Sequence, residues 1–287
     1  MRNEYVKYWV GMMKAHKYIA VIPAALAAGV CCAALIAPQY AYANPEGGVV
    51  VSGAATFSSA GDKLDIHQTT NRALIDWRSF NIAPTEHTEF HQPSSNAVAV
   101  NRILDVNPST IAGQLTANGN IVLINPNGMM FSNTAVVDVN GIVATTANIS
   151  NADFAAGSMD FNIAGNPDAQ IINSGLITAK DAGLVGLVAP QVENNGVIVA
   201  KLGRIQLASA DVATLDFYGD GLLKVAVADS NLKKQFVKNA GTLDAYDNSI
   251  EIGCQVLWFT FNNIIVEVKK ANLIHYFNAI QHAIKLN

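Results

Sequence analysis

The chain is 287 residues long, 51% hydrophobic and only 14% charged, with a formal net charge of −4. Of its 18 Lys+Arg and 22 Asp+Glu, four and one respectively precede Asn44, which leaves the remainder with a net of −7. An acidic, dispersed balance with no basic block argues against a nucleic-acid partner.

The first 43 residues read as an export signal. Arg2, Lys7, Lys14 and Lys17 make a long basic n-region, residues 18–37 carry no charge, and Ala41-Tyr42-Ala43 is an A-x-A cleavage site. Twenty apolar residues could span a bilayer. Pro23, the Ala-rich content and the cleavage site favour a signal peptide instead, cut between Ala43 and Asn44. Neither Cys31 nor Cys32 follows the Leu-small-small pattern of a lipobox. After processing, Cys254 is the only cysteine, so the exported chain must be held by its core and backbone ladders alone. The 244 residues from Asn44 onward are ample for one all-β core.

Along that stretch, Trp77 and Phe80 sit beside apolar Leu74 and Ile75 and are expected to plug the start of the core. His87-Thr-Glu-Phe-His91 would place His87, Glu89 and His91 on one face of a strand. It is not the helical zinc-protease motif, and no Cys or Asp stands close by in sequence to complete four ligands. A solvated strand face, with no metal and no cofactor, is the expectation. Asn107-Pro108 opens a further block. Residues 121–131 then read Ile-Val-Leu-Ile-Asn-Pro-Asn-Gly-Met-Met-Phe, two apolar runs around a turn. Asn125 can bond its own backbone two residues on, Pro126 presets φ, and Asn127 and Gly128 tolerate positive φ.

Gly119, Gly141, Gly175, Gly196, Gly219 and Gly241 follow at intervals of 22, 34, 21, 23 and 22 residues. Local text recurs at four of them: Asn140-Gly141-Ile-Val-Ala, Asn173-Ser-Gly-Leu-Ile-Thr-Ala, Asn194-Asn-Gly-Val-Ile-Val-Ala and Asn239-Ala-Gly-Thr-Leu-Asp-Ala. A turn motif recurring near every 22 residues in a β-rich chain predicts a parallel β-helix, one coil per repeat. An antiparallel sandwich of the same composition would not predict even spacing. The 34-residue gap is expected to be a loop or small insertion over 148–168. A carbohydrate-active enzyme on this fold would need carboxylates clustered on one coil face beside a base. Asp211, Asp216, Asp220 and Lys224 are the nearest approach, and their irregular spacing predicts no catalytic site.

The tail differs. Residues 254–287 hold no glycine, against 19 in the preceding 210. Leu273, Phe277, Ile280 and Ile284 recur at helical spacing, whereas Trp258, Phe259 and Phe261 cluster as in a strand. The expected organisation is a signal peptide over 1–43, a β-helix over 44–253 and a divergent tail over 254–287, either a cap or the remnant of an interrupted sequence.

Four blocks resemble the N-terminal secretion domain of filamentous haemagglutinin-type exoproteins of two-partner secretion. They are Asn71-Arg-Ala-Leu-Ile-Asp-Trp-Arg-Ser-Phe-Asn-Ile, Ala99-Val-Asn-Arg-Ile-Leu, Asn107-Pro-Ser-Thr-Ile-Ala-Gly-Gln-Leu-Thr-Ala-Asn-Gly and Val122-Leu-Ile-Asn-Pro-Asn-Gly-Met-Met-Phe. The likeness covers roughly 47–210. It implies a right-handed parallel β-helix with an N-terminal β cap. It also implies export through an outer-membrane β-barrel transporter of a Gram-negative bacterium, whose periplasmic domains capture the unfolded chain by β-augmentation. Asn107, Pro108, Asn125, Pro126, Asn127 and Gly128 are then candidates for a recognition element, for a structural turn that holds register, or for both. Members continue for many hundreds of residues with adhesive or toxic regions that meet host-cell or surface ligands. This chain stops short, so an adhesin role and a non-functional truncated fragment both stay open.

Overall fold

The computed structural model describes residues 44–180, 182–215, 223–226, 236–245 and 250–254. The expected signal segment with Ala41 and Ala43, the tail beyond Cys254, and Asp216, Gly219 and Asp220 lie outside the described residues.

The chain enters as two short strands, β1 (Val49–Ser52) and β2 (Ala55–Ala60), and then winds. The first coil carries β3 (Lys63–Gln68) and β4 (Arg72–Trp77); the second β5 (His87–His91), β6 (Val98–Ile103) and β7 (Ser109–Ile111). The third carries β8 (Gln114–Ala117), β9 (Asn120–Ile124) and β10 (Met129–Phe131). The fourth has β11 (Val136–Val139) and β12 (Gly141–Thr145), then an excursion with helix α1 (Asn151–Ala156) and β13 (Asp160–Phe161), before β14 (Gln170–Asn173). The fifth is β15 (Leu176–Ala179), β16 (Leu184–Ala189) and β17 (Gln191–Asn194). The sixth has β18 (Val197–Ala200) and β19 (Arg204–Ser209), a second excursion through β20 (Val212–Leu215) and β21 (Leu223–Ala226), then β22 (Phe236–Asn239). Strands β23 (Thr242–Asp244) and β24 (Ile250–Cys254) begin another.

Equivalent strands stack into three parallel faces: β3-β5-β8-β11-β15-β18-β23, β4-β6-β9-β12-β16-β19-β24 and β7-β10-β14-β17-β22. This is the expected right-handed parallel β-helix. The expected cap is antiparallel: β1 pairs with β4, and β2 with β3. Cα partners on the second face place Ala73, Ala99, Ile121, Ile142, Val185, Ile205 and Ile250 in one inward column. Trp77 and Phe80 are each 1% exposed and meet edge to face at 5.6 Å, with Phe57 of the cap 5.2 Å from Trp77. Trp77 also donates its indole N–H to the inward, buried Asn101 at 2.9 Å. They plug the first coil as expected.

The second face is buried on both sides, which is why β9 reads as an unbroken Ile-Val-Leu-Ile run instead of an alternation. Ile121 and Leu123 point into the helix core, while Val122 and Ile124 pack outward with Phe154, Met159 and Phe161 of the fourth-coil excursion. The 148–168 insertion therefore folds back as a lid on this face. Its helix is short but capped at both ends: the Ser150 side chain accepts from the Asp153 N–H, and Gly157 takes φ 90°. Of the two expectations, a loop or a small insertion, the segment is the second, and its short helix is the part that spacing does not reveal. Arg72 lies 4.4 Å over the Phe154 ring. Arg102 grips Asp76 at 2.6 and 2.9 Å and donates to the Ile149 carbonyl and to Asn151. Strand β13 pairs with β20, and β20 with β21, so the two excursions share a small antiparallel sheet.

The glycine interval needs correction. Val197 pairs directly with Thr242, so on the first face the coil of Gly196 is followed directly by that of Gly241, 45 residues on and not 22 or 23. Nor do the other glycines mark one corner. Gly175, Gly196 and Gly241 precede strands of the first face, whereas Gly119 and Gly141 introduce the second. The apparent 34-residue gap joins two different corners. Close backbone stacking requires glycine in the first column: a Cβ at Gly241 would lie 2.0 Å from the Gly196 carbonyl oxygen. The asparagines of the recurring text form a buried ladder there. Asn173 Nδ2 donates to Asn194 at 2.8 Å, and Asn194 Nδ2 to Asn239 at 2.7 Å. Asn140 belongs to the other corner and donates to Asn120.

Candidate functional site

The turn at residues 125–128 joins β9 to β10, the corner between the second and third faces. The Gly128 N–H donates to the Asn125 carbonyl at 3.0 Å, closing a four-residue turn with Pro126 in its first corner. Gly128 has φ 105°, but Asn127 is not in the positive-φ region, which corrects the expectation that both would be. The arrangement is that of a type I turn, with Asn first, Pro second and Gly last.

Asn125 is 0% exposed and spends its whole amide on this corner. Its Oδ1 accepts from the Asn127 N–H at 2.9 Å. Its Nδ2 donates to the Asn107 carbonyl at 3.1 Å and to Ser109 Oγ at 3.0 Å on the preceding coil. Asn127 Nδ2 reaches the Asp105 carbonyl at 2.9 Å, and the Ser109 N–H donates to the Gly128 carbonyl at 3.1 Å. The structure therefore brings the two Asn-Pro blocks into one hydrogen-bonded corner. They are not equivalent in register. With Ser109 paired to Met129, Asp105 occupies the place of Asn125, and its Oδ1 accepts from the Asn107 N–H in the same way. Pro108 follows that turn, at the level of Gly128.

A second Asn-Pro turn stacks on the other side. Asn166 accepts from the Asp168 N–H, its carbonyl accepts from Ala169, and its own N–H donates to the Pro126 carbonyl. Sequence reading missed it because residues 148–168 had been assigned to the insertion. Reading missed Asp105 too, although an Asp two residues before Asn107 is itself a turn signal. On either side of Asp105, Leu104 and Val106 are 63% and 83% exposed, an apolar pair presented beside the corner.

The His87, Glu89, His91 set lies on one strand face as expected, and the neighbouring strand extends it. Asp65 pairs with Glu89 in register and His67 with His91. The expectation that no Asp stands close by is thus wrong in three dimensions: Asp65 Oδ1 is 2.8 Å from His91 Nε2. Lys63 bridges Asp65 at 2.9 Å and Glu89 at 2.7 Å. The bond from His91, followed by that from Lys63, holds the Asp65 carboxyl below its ordinary value, and Lys63 does the same to Glu89. His87 turns aside to Thr116 at 2.7 Å.

The loose carboxylate cluster yields one described carboxylate, Asp211, which is 3% exposed. A groove of about 580 Å³ runs along the Gly175, Gly196 and Gly241 column, and no titratable side chain lines it. Among the described residues, no helix is long and apolar enough to cross a membrane.

A parallel β-helix sealed at its start by antiparallel strands, with hydrogen-bonded turns stacked at its corners, defines a capped β-solenoid. Residues 41–268 match the TPS secretion domain family, and the chain belongs to it. It is 37% identical to a heme/hemopexin-binding protein of Haemophilus influenzae over 71% of this chain and 23% of that protein. The crystal structure of the HMW1 secretion domain from Haemophilus influenzae superposes with TM-score 0.67 and 31% identity, over 74% of this chain and 56% of that one. The chain thus spans under a quarter of that curated relative. It is a secretion domain of two-partner exoproteins, which pass through the outer membrane of Gram-negative bacteria to the cell surface or medium. The family match runs past Gly253, and β24 includes Cys254.

Proposed function

We propose that a signal peptide cut between Ala43 and Asn44 delivers this domain to the periplasm, where the periplasmic domains of a cognate outer-membrane β-barrel capture it for export. The family match over residues 41–268 carries this reading. Residues 44–253 are the folding and export unit, and 254–287 a divergent tail that adds little to capture. The corner at Asn107, Pro108, Asn125, Pro126, Asn127 and Gly128 acts first as a register lock: successive turns headed by Asp105, Asn125 and Asn166 hydrogen-bond across coils there. Its second role is recognition, for which the exposed Leu104 and Val106 offer apolar side chains. Outside the cell, each finished coil templates the next, so early coils act as nucleus and ratchet.

The family to which the chain belongs is a secretion domain of exoproteins and not a family of enzymes, which supports a non-catalytic role for this domain. Surface adhesion or ligand capture belongs to the exoprotein of which such domains form part; a relative that is a heme/hemopexin-binding protein supports a role in engaging host molecules. The test is expression with and without the cognate barrel, followed by blotting of the medium. Release only with the barrel is the expected result. Equal release from both strains would overturn the proposal.

A further inference from the structure

Residues 63–67 and 87–91 present a half-exposed ribbon of alternating polar side chains because the even-numbered positions, Leu64, Ile66 and Phe90, are committed to the core. On that ribbon the parallel register sets His67 beside His91, their rings stacked at 4.4 Å. Asp65, two residues before His67, lies on the same face. One donor atom from each of Asp65, His67 and His91 falls within 4.8 Å of the others.

We propose that Asp65, His67 and His91 form a three-ligand site for a borderline transition-metal dication, Zn²⁺ first, on the outer face of the first two coils. Two imidazoles and one carboxylate are a donor set that suits Zn²⁺ and leaves its fourth position to water. The solvent-facing position of the ribbon supplies room for that water. Glu89 adds a second observation: its Oε1 lies 3.9 Å from His91 Nδ1 while His91 Nε2 faces Asp65. That distance is too long for a hydrogen bond, but Glu89 is placed to close on the far ring nitrogen, the contact that fixes the orientation of a metal-bound histidine. His67 is exposed and free to turn its ring toward the shared centre. Lys63, now on Asp65, is the resident competitor; it keeps Glu89 as a partner when Asp65 turns to the metal.

Bound there, the ion would clasp β3 to β5. It would thus tie the coil that pairs with the cap to the next, at the end of the solenoid that would fold first.

The test is equilibrium dialysis and calorimetry of the full chain with Zn²⁺. One ion per chain is expected, with a higher melting temperature, since a ligand bound only by the native state stabilises it. His67→Ala and Asp65→Asn should each weaken binding about tenfold or more, at least the loss seen for outer-shell partners. Lys63→Met should tighten it, and His87→Ala should leave it unchanged. His67 is exposed and, among the described residues, its ring stacks on His91 alone, so its variant separates loss of the site from loss of fold. No saturable binding up to about 1 mM, where even a binding free energy of about −4 kcal/mol would show, would overturn the proposal. Binding that survives both His67→Ala and Asp65→Asn would overturn it as well.

Discussion

Replacing Asn125 by Ala should unlock the corner between coils two and three. Three hydrogen bonds go at once: from the Asn127 N–H, and to the Asn107 carbonyl and Ser109 Oγ. Each bond of this kind contributes a net of about 0.5–1.5 kcal/mol, and a buried group left unpaired costs about 1–3. The Asn107 carbonyl belongs to an exposed residue and can turn to water, whereas Ser109 is only 3% exposed. Allowing for that, the loss should be about 2–4 kcal/mol, a large part of the ~5–15 kcal/mol that holds a typical domain together. Ser109→Ala removes one bond of the set and should cost about 1 kcal/mol. The double variant should then cost less than the two singles together, because both delete the Asn125–Ser109 bond. Urea unfolding followed by circular dichroism measures all three through the midpoint and slope. A loss below about 1 kcal/mol for Asn125→Ala would refute the view that this asparagine locks coil to coil.

Gly128→Ala should destabilise through two causes at once. The backbone sits at φ 105°, and the new Cβ would lie 2.5 Å from the Gln170 carbonyl oxygen on the following coil. The expected cost exceeds the ~1 kcal/mol of positive φ alone, and a melting curve unchanged from wild type would count against the turn. If the corner also serves recognition, unfolded Gly128→Ala should lose binding to the transporter's periplasmic domains as well. A third prediction concerns pH. Lys238 bonds Glu193 across coils five and six at 2.8 Å and holds that carboxyl below its ordinary 4.5. A depressed carboxylate contributes its stability above the unfolded value and loses it as pH falls through the folded one. Lys238→Met should therefore be less stable than wild type at neutral pH, and the gap should close on acidification below 4.5. A gap that is constant down to strongly acid pH would show that the ion pair is not its source.

Much of this protein is written in local chemistry. Asn-Pro and Asn-x-Gly steps force turns wherever they stand, short Ile/Val runs between them favour strands, and recurrence of such units within one chain leaves stacking as the way to bury their apolar faces. The parallel β-helix, the Trp77 plug and the turn at residues 125–128 were therefore legible before any coordinates. Register was not. A coil brings together residues about 20 apart only when no excursion intervenes, and the lengths of the two excursions decide which glycines share a corner. Spacing alone thus suggested an intermediate coil in a column that passes directly from Gly196 to Gly241, and it hid the stacking of Asn166 on Pro126. In the same way, Asp65 and His67 are distant from His91 along the chain. Parallel pairing of β3 with β5 alone makes them neighbours, because backbone hydrogen bonds between coils set one side chain beside another irrespective of the loop that separates them.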